Sequence, residues 1–437
     1  MTSDKRRKAR IRARMARTGE RYTTARRHFV DTPAPLQHDL GYLLRGGLHP
    51  DSAALANVLA HNQTTDAEGT LLSEALLFGV MGGLGAGYIL WEFAHDDACT
   101  LVLGFRNQWQ HHDRAVRTAL DRLGIAYDRH TTGGAAGAAR RLEAQVAGGA
   151  PALIWPDRQL LGSWYLPPHL EAHGGHPVVV YGARDGCFHL DDRTLAPLTV
   201  DAGTLHRARA RVGSYRNTLI APLPAAAPVP VDVIRGAVRD GIAACIDQLG
   251  GTSASFALPA WRKWSRLMTD RRNAKGWPVV FADRVGLAGA LLSVWEGVSP
   301  SGMTGGHLRD LQVDFLTAAQ PLLGTDFAGA IAGFGEAAVR WAELGDIALD
   351  PGNPDFARLR ERTATVRAAI AAEGDAGRAE AGAAAGELWR LRAALDAECP
   401  LDADAAHEVF TRMGAAIGAI HEVERDAVAS LAAAIGR

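Results

Sequence analysis

One candidate reaction centre lies at a predicted helix start, in the segment His49-Pro50-Asp51-Ser52. Proline at the first helical position and an acid in the first turn are typical of a helix N-terminus. Such a terminus presents free N–H groups and the positive end of the helix dipole, which stabilise an oxyanion or a thiolate. His49 could serve there as a base and Ser52 as a nucleophile. Simple capping, in which Asp51 and Ser52 only satisfy backbone donors, explains the same residues.

A second candidate is a histidine–carboxylate pair on neighbouring predicted strands. His176 follows two glycines at the start of one apolar run, and Asp191 lies on the next run, residues 186–192. Asp185-Gly186 between these runs predicts a β-hairpin. A carboxylate that orients an imidazole prepares it for proton transfer. A structural histidine and a polar outer strand face fit these residues as well.

The glycine-rich run at 79–87 does not fit a dinucleotide fingerprint, because a helical pattern precedes it where a strand is required. We expect close backbone packing there, or N–H groups that line a pocket. The glycine loop at 302–307 lacks the Lys-Ser/Thr that follows a phosphate loop. His111, His112 and Asp113 are consecutive on a predicted helix and point to different faces. We therefore predict neither a metal site nor a cofactor site.

The composition is that of a globular protein with more than one domain. The chain has 437 residues, of which 47% are hydrophobic and 22% charged, which excludes disorder throughout. No apolar stretch approaches the 18 residues of a membrane span, no secretory signal is recognised, and the four cysteines show no paired spacing. We expect a protein of the reducing cytoplasm that is not attached to a membrane.

The predicted elements change character along the chain. Helices are expected at 52–62, 71–83 and 112–123, with strands at 100–105, 151–156, 175–184, 186–192 and 196–200. Helices alone are expected beyond residue 230, at 231–249, 261–270, 284–297, 305–322 and 326–345, with a mostly helical tail from 354 to 437.

These patterns predict an α+β domain followed by an all-α domain. We place a basic arm at residues 1–30, the α+β domain at 31–222, a Pro/Ala linker at 223–231 and the all-α domain at 232–437. The arm carries 11 basic and two acidic residues, a net charge of +9. It could bind an acidic protein or dock on its own acidic body. Nucleic acid is a weaker prediction, because the arm has little aromatic interleaving. The oligomeric state is open, with a homodimer as one option.

Most of the chain beyond the arm resembles a known family. From about residue 38 to 222 it resembles the N-terminal domain of the butirosin biosynthesis protein H family, and from about 232 it resembles the helical domain that often follows. The resemblance is carried by His49 with SAALANVL, by LLSEALLFGVMGGLGAGY at 71–88 and by GGHPVVVYGARDGCFHLDD at 174–192. In the second half it is carried by FALPAWRKWSRLMTD, KGWPVVF and SGMTGGHLRDLQVDFL. The order and spacing of these pieces carry it, since none is decisive alone.

The resemblance implies a papain-like fold, related to bacteriocin-processing cysteine peptidases, and acyl transfer in natural-product biosynthesis. The named relative moves an aminoacyl group from an acyl carrier protein thioester to an amine. In that pattern a cysteine follows the helix-start histidine, and a histidine and an aspartate downstream complete the site. His176 and Asp191 fall on the downstream positions. Glu74, Gly82, Gly83 and Tyr88 are candidate substrate-binding residues of the second segment.

This sequence departs from the family pattern at the nucleophile, since Pro50 stands where the cysteine is expected. Three mechanisms remain. Ser52 could replace the cysteine, although two residues along a helix is a rotation of about 200°. Alternatively, no covalent intermediate forms, and His176 or His49 deprotonates an amine held beside a reactive thioester. Finally, catalysis could be lost, so that the domain only binds an acyl or peptidyl ligand or a protein.

The surroundings of the two histidines distinguish an enzyme from a binding module. An enzyme should gather His49, His176 and Asp191 around an open cleft. A degenerate site should be filled by side chains such as those of Trp91, Trp155 or Trp164.

Overall fold

The structure, a computed structural model, describes residues 36–37, 40–93, 98–109 and 111–437. The side chains of residues 36–37, 91–93 and 98–100 are not part of the description. The basic arm at 1–30 therefore lies outside the described residues, and its role remains a prediction.

The first half mixes helices and strands. Its helices are α1 Pro50–His61, α2 Glu74–Val80, α3 Arg114–Arg122, α4 Ala135–Ala147, α5 Arg158–Leu161 and α6 Ala202–Arg211. Its strands are β1 Leu36–Gln37, β2 Leu43–Leu44, β3 Leu84–Phe93, β4 Ala98–Arg106, β5 Tyr127–His130, β6 Ala152–Ile154, β7 Val178–Arg184, β8 Cys187–Asp191, β9 Leu198–Asp201 and β10 Leu219–Pro222.

A six-stranded antiparallel sheet organises this half, in the order β5-β10-β6-β7-β8-β9. The predicted hairpin between β7 and β8 is confirmed, with Arg184 paired to Cys187. Asp185 and Gly186 both have positive φ, at 53° and 77°, as a two-residue hairpin turn requires. Helix α1 packs on β6 and β7, so its N-terminus lies beside the sheet.

From residue 231 onward the described chain is helical. The helices are α7 Val231–Leu249, α8 Pro259–Leu267, α9 Trp277–Val280, α10 Leu287–Val298, α11 Arg309–Leu323, α12 Ala328–Ala348, α13 Pro354–Glu373, α14 Arg378–Ala397 and α15 Ala403–Ala434. The predicted α+β region followed by an all-helical region is therefore confirmed. The predicted helix at 231–249 has the same bounds as α7.

The two halves share hydrophobic core. One cluster of buried side chains runs from Leu55 and Phe78 in the first half to Trp261, Trp341 and Leu431 in the second. The β3–β4 hairpin packs on α7, α8 and α10, and α2 packs on α7 and α11. The Pro-rich segment 223–230 between the halves is exposed except at Val229, whose amide donates to the Thr65 carbonyl. The domain boundaries themselves remain a prediction.

The glycine-rich run shows where the sequence prediction was incomplete. The helix predicted at 71–83 ends at Val80, and a tight turn at Met81–Gly83 leads directly into β3. A strand that contains Gly85 and Gly87 carries a weak sequence signal, because glycine lowers strand propensity. Any Cβ on Gly87 would collide with the Trp109 ring, so this strand uses glycine to let the ring approach.

Candidate active site

His49 forms the N-cap of α1, and Glu74 of α2 holds the chain in place there. The Glu74 carboxylate accepts hydrogen bonds from the backbone N–H of Leu48 at 3.1 Å and of His49 at 2.8 Å. It also accepts from the Ser52 hydroxyl at 3.2 Å. Ser73 caps α2 through its side chain, which fixes where Glu74 begins that helix. Glu74 thus acts on the start of α1, and its predicted role in substrate binding remains untested.

Ser52 does reach an imidazole, although its position along the helix made this look unfavourable. Its hydroxyl lies 3.1 Å from His49 Nδ1, and its backbone N–H donates to the same nitrogen at 3.4 Å. His49 folds back over the first turn because a capping side chain bonds the third residue of the helix. Ser52 is fully buried, and its hydroxyl is shared among His49 and Glu74. The contact is therefore a helix cap, with no opening through which an acyl donor reaches the oxygen.

Burial and nearby cations keep His49 neutral. Burial, assisted by the positive charges of Arg106 and Arg193, lowers the pKa of His49 well below its usual value. On its other side, His49 Nε2 lies 3.7 Å from Asp51 Oδ2, which Arg106 approaches at 3.2 Å. Burial raises the pKa of Asp51, and Arg106 counteracts that rise.

His176 is hydrogen-bonded through both ring nitrogens. Nε2 lies 2.7 Å from Asp192 Oδ1, and Nδ1 lies 2.7 Å from Arg158 Nη2. A guanidinium has no acceptor, so Arg158 donates to Nδ1, and the ring proton must sit on Nε2 and point at Asp192. Burial lowers the pKa of His176 to about 4 even though Asp192 opposes the shift. The ring is neutral at pH 7, and its lone pair is occupied by Arg158.

The partner of His176 is Asp192, so the predicted pair with Asp191 is wrong by one residue. Asp191 ends β8 with its side chain on the other side, where Oδ2 accepts from Tyr42 and Asn57, both at 2.9 Å. Successive residues of a strand point to opposite faces, which is why a shift of one residue changes the partner. Burial raises the pKa of Asp191 to about 6.

Both carboxylate oxygens of Asp192 are hydrogen-bonded. Trp164 donates its indole N–H to Oδ2 at 2.7 Å, and Arg193 Nη2 lies 3.4 Å from Oδ1. Burial alone would raise the pKa of Asp192, but the contact with His176 and the charge of Arg193 hold it well below its usual range. Arg193 also donates to the Leu48 carbonyl at 3.0 Å, which ties this pair to the start of α1.

The two histidines lie close enough for the charge of His176 to affect the pKa of His49, and both are buried. His176 is 0% and His49 3% exposed. Trp155 and Trp164 are both buried, and Trp164 lies directly against the His176–Asp192 pair. The Trp91 side chain lies outside the description. Two of the three tryptophans named for a filled site are thus buried, and the choice between an enzyme and a degenerate site remains a prediction.

The remaining predicted residues, Gly82, Gly83 and Tyr88, lie in packing between the two halves. A side chain on Gly82 would collide with Asn107, and one on Gly83 would collide with Gln312 of α11. Tyr88 is buried, its ring stacked on Trp264 and its hydroxyl accepting from the Trp277 indole at 3.1 Å. The structure does not bring these residues to the histidines.

Sequence reasoning missed Arg158. The residue begins the four-residue helix α5, whose start is fixed by Asp157: its Oδ1 accepts from Leu160 N and its Oδ2 from Ala172 N. The only signal in the sequence was a Pro-Asp-Arg segment directly after a predicted buried strand, which is typical of a helix start and carries no chemistry by itself.

Among the residues that the structure describes, no three His, Cys, Asp or Glu side chains come close enough together to bind a metal ion. Within the same ranges, no helix has the length and apolar character needed to cross a membrane.

Comparison with known proteins agrees with the resemblance. Residues 49–193 match the family model described as butirosin biosynthesis protein H, N-terminal. The comparison with curated proteins gave no match. Among solved structures, a C39-like peptidase from Bacillus anthracis shares 14% identity over 44% of this chain and 96% of that chain, with a TM-score of 0.28. At that TM-score the likeness does not define the fold.

The family match covers the site of the first half. There an antiparallel sheet carries the buried His176–Asp192 pair and packs against α1, which begins at the position expected for a nucleophile. The match to the butirosin biosynthesis protein H N-terminal family model spans residues 49–193, about a third of the chain. His49, His176 and Asp192 all fall within the matched segment, and the helical half lies beyond its end.

Proposed function

We propose that this protein is a non-catalytic papain-like binding module that recognises an acyl or peptidyl ligand. The observation that carries the proposal is the state of His176, whose lone pair accepts a hydrogen bond from Arg158 in a closed, buried site. An imidazole in this state cannot accept a proton until Arg158 moves away.

The missing nucleophile supports the same proposal. Pro50 occupies the position of the family cysteine and has no side-chain group able to attack a thioester. Ser52 is buried within the helix cap, and His49 is neutral but engaged by Ser52 at Nδ1. None of the four groups proposed for catalysis thus faces a space that a substrate could occupy.

The family suggests what is bound. We propose that the ligand is an aminoacyl or acyl group delivered on an acyl carrier protein, in a natural-product pathway. Loss of the nucleophile removes covalent chemistry, whereas non-covalent binding of an acyl group does not require a nucleophile. An acidic carrier protein would also suit the net charge of +9 on residues 1–30.

One observation favours an enzyme as second candidate. The His176–Asp192 contact is as short and as well oriented as a catalytic pair requires, at 2.7 Å. If ligand binding displaced Arg158, His176 could deprotonate an amine and support direct acyl transfer to it without an acyl-enzyme.

The two functions are separated by incubating the full chain with an aminoacyl N-acetylcysteamine thioester and an amine. Mass spectrometry measures amide and covalent adduct, and calorimetry measures thioester affinity. The test variant is His176→Gln, since the Gln amide can donate to Asp192 and accept from Arg158. We expect saturable binding, no amide above background, and an affinity unchanged within about twofold in the variant.

Amide formation by the wild-type protein that disappears in His176→Gln, with the circular dichroism spectrum preserved, would establish the enzyme. Absence of thioester binding would also contradict the proposal. Binding that persists in both proteins without turnover supports it.

A further inference from the structure

A small cavity lies between the loop that follows α5 in the first half and the helices of the second half. Its walls include Trp164, Glu296 of α10, Met303, Arg367 of α13 and Trp389 of α14. Its volume is about 30 Å³. That space exceeds the roughly 10–15 Å³ needed by one water and suits a group of three or four heavy atoms.

Arg367 presents an unused donor in this wall. Its Nη1 atom is buried and has no hydrogen-bond partner among the described residues. Its guanidinium lies over the Trp164 ring, 4.9 Å from the centroid, which orients the group without satisfying its N–H donors. A buried charged donor without an acceptor is costly, and such groups in native proteins call for a specific explanation.

A second guanidinium lies next to the same cavity. Arg158, which caps His176, directs its other terminal nitrogen at the Met303 sulfur at 3.4 Å, and Met303 lines the cavity. A thioether is a weak acceptor, so this donor is also poorly satisfied. Both arginines lie close enough to affect each other's pKa, and burial lowers the pKa of Arg158 to about 10 and of Arg367 to about 9.

Two of the three carboxylates near these arginines are used by other donors. Arg158, Arg193 and Arg367 lie near Asp157, Asp192 and Glu296, three positive and three negative charges when all are ionised. Asp157 accepts from two backbone N–H groups, and Asp192 is used by His176 and Trp164. Burial raises the pKa of Glu296.

We propose that this cavity binds a carboxylate group, held by Arg367, with the charge of Arg158 nearby. Arginine matches the planar, two-oxygen geometry of a carboxylate. The apolar walls contributed by Trp164, Trp389 and Leu388 suit the hydrocarbon that follows a carboxyl carbon. The inference rests on the proposed function, because it supplies an anchor for a carboxylate at the far end of the acyl or peptidyl group, the carboxyl carbon next to the carrier being part of the thioester.

The test is calorimetric titration of the full chain with sodium acetate, against sodium chloride at equal ionic strength. We expect saturable acetate binding in the wild-type protein. Arg367→Met should weaken it at least about tenfold, since a hydrogen bond between charged groups is lost. Arg358→Met is the matched control, because Arg358 lies on the same helix, is exposed, and pairs with Glu387 away from the cavity.

Sodium hexanoate distinguishes the source of the carboxylate. Tighter binding of hexanoate than of acetate points to the terminal carboxylate of an acyl chain, and equal binding points to a small free acid; both support the site. The proposal is overturned if acetate does not saturate, or if Arg367→Met binds it as well as Arg358→Met does. This result is independent of the thioester experiment, so the site and the proposed function can fail separately.

Discussion

Arg158 controls the protonation of His176. Its positive charge and its hydrogen bond to Nδ1 both oppose a proton on the ring, and they act alongside burial. We expect Arg158→Met to raise the pKa of His176 from about 4 towards the ordinary value of roughly 6.5. The pKa is measured from ring nitrogen shifts in ¹⁵N-histidine-labelled protein, with the His176 signal assigned by its loss in His176→Gln.

Arg211→Met provides the control for that experiment. Arg211 is half exposed and pairs with Glu171, so its removal should leave the pKa of His176 unchanged. An unchanged pKa in Arg158→Met would show that burial alone keeps the ring neutral.

The lowered pKa of His176 also makes the stability depend on pH. The unfolded chain takes up a proton near pH 6.5, whereas the folded chain does so only near pH 4, so stability is present above pH 6.5 and is lost as the pH falls towards 4. The contribution of His176 is on the order of 3 kcal/mol. As the pH falls from 7 to 4, the free energy of unfolding measured in urea should therefore decrease less in His176→Gln than in the wild-type protein. Equal decreases would contradict the lowered pKa of His176.

For single residues, the sequence predicted which types of side chain form the site more reliably than it predicted their hydrogen-bond partners. His176 and a neighbouring carboxylate were recognised from the hairpin, but Asp191 and Asp192 are adjacent, and only the strand end decides which one faces the imidazole. Arg158 was not recognisable, because its contact with His176 depends on where the fold places a four-residue helix that packs on α6.

Among the elements, α2 stabilises the start of α1 through one carboxylate. Glu74 accepts from two backbone N–H groups and the Ser52 hydroxyl. We expect Glu74→Ala to lower the free energy of unfolding by about 2 kcal/mol, since these donors lose their charged acceptor. Glu74→Gln keeps one oxygen and should cost less. Chemical denaturation measures both.

Glu68→Ala is the matched control, because Glu68 is exposed in the loop that precedes α2. Its effect should stay within about 0.5 kcal/mol. Equal changes in the free energy of unfolding for the Glu68 and Glu74 variants would show that Glu74 does not stabilise the start of α1.

Element prediction followed the strength of the local pattern. The helices beyond residue 230 were predicted because each has an apolar face at helical spacing, and the bounds of α7 were reproduced. Strand β3 was not predicted because glycines interrupt it. Helix α4 and strands β5 and β10 were not predicted because short or Ala-rich segments show no regular spacing of apolar residues. What places them is pairing with distant strands, such as β10 with β5, which local pattern does not contain.

For the whole molecule, the shared core implies that the two halves unfold together. A close approach of backbones between them joins α2 to α7, where a Cβ on Gly241 would overlap the carbonyl oxygen of Gly79. We expect Gly241→Ala to lower the free energy of unfolding by about 2–3 kcal/mol, because the helices must separate to admit the methyl group. Gly236→Ala, on the same helix but facing open space, should instead be neutral or stabilising by about 0.5–1 kcal/mol.

Hydrogen exchange shows whether that loss is common to both halves. In Gly241→Ala, amides of β7 in the sheet and of α12 in the helical half should lose protection by the same factor, because one core cluster includes Val179 as well as Trp341. Loss of protection in α12 alone would mean that the sheet folds independently. The carboxylate site has Trp164 of the first half on one side and Arg367 of the second half on the other. It therefore requires an equal loss of protection in β7 and α12, because its two walls keep their spacing only if the halves unfold as one cooperative unit.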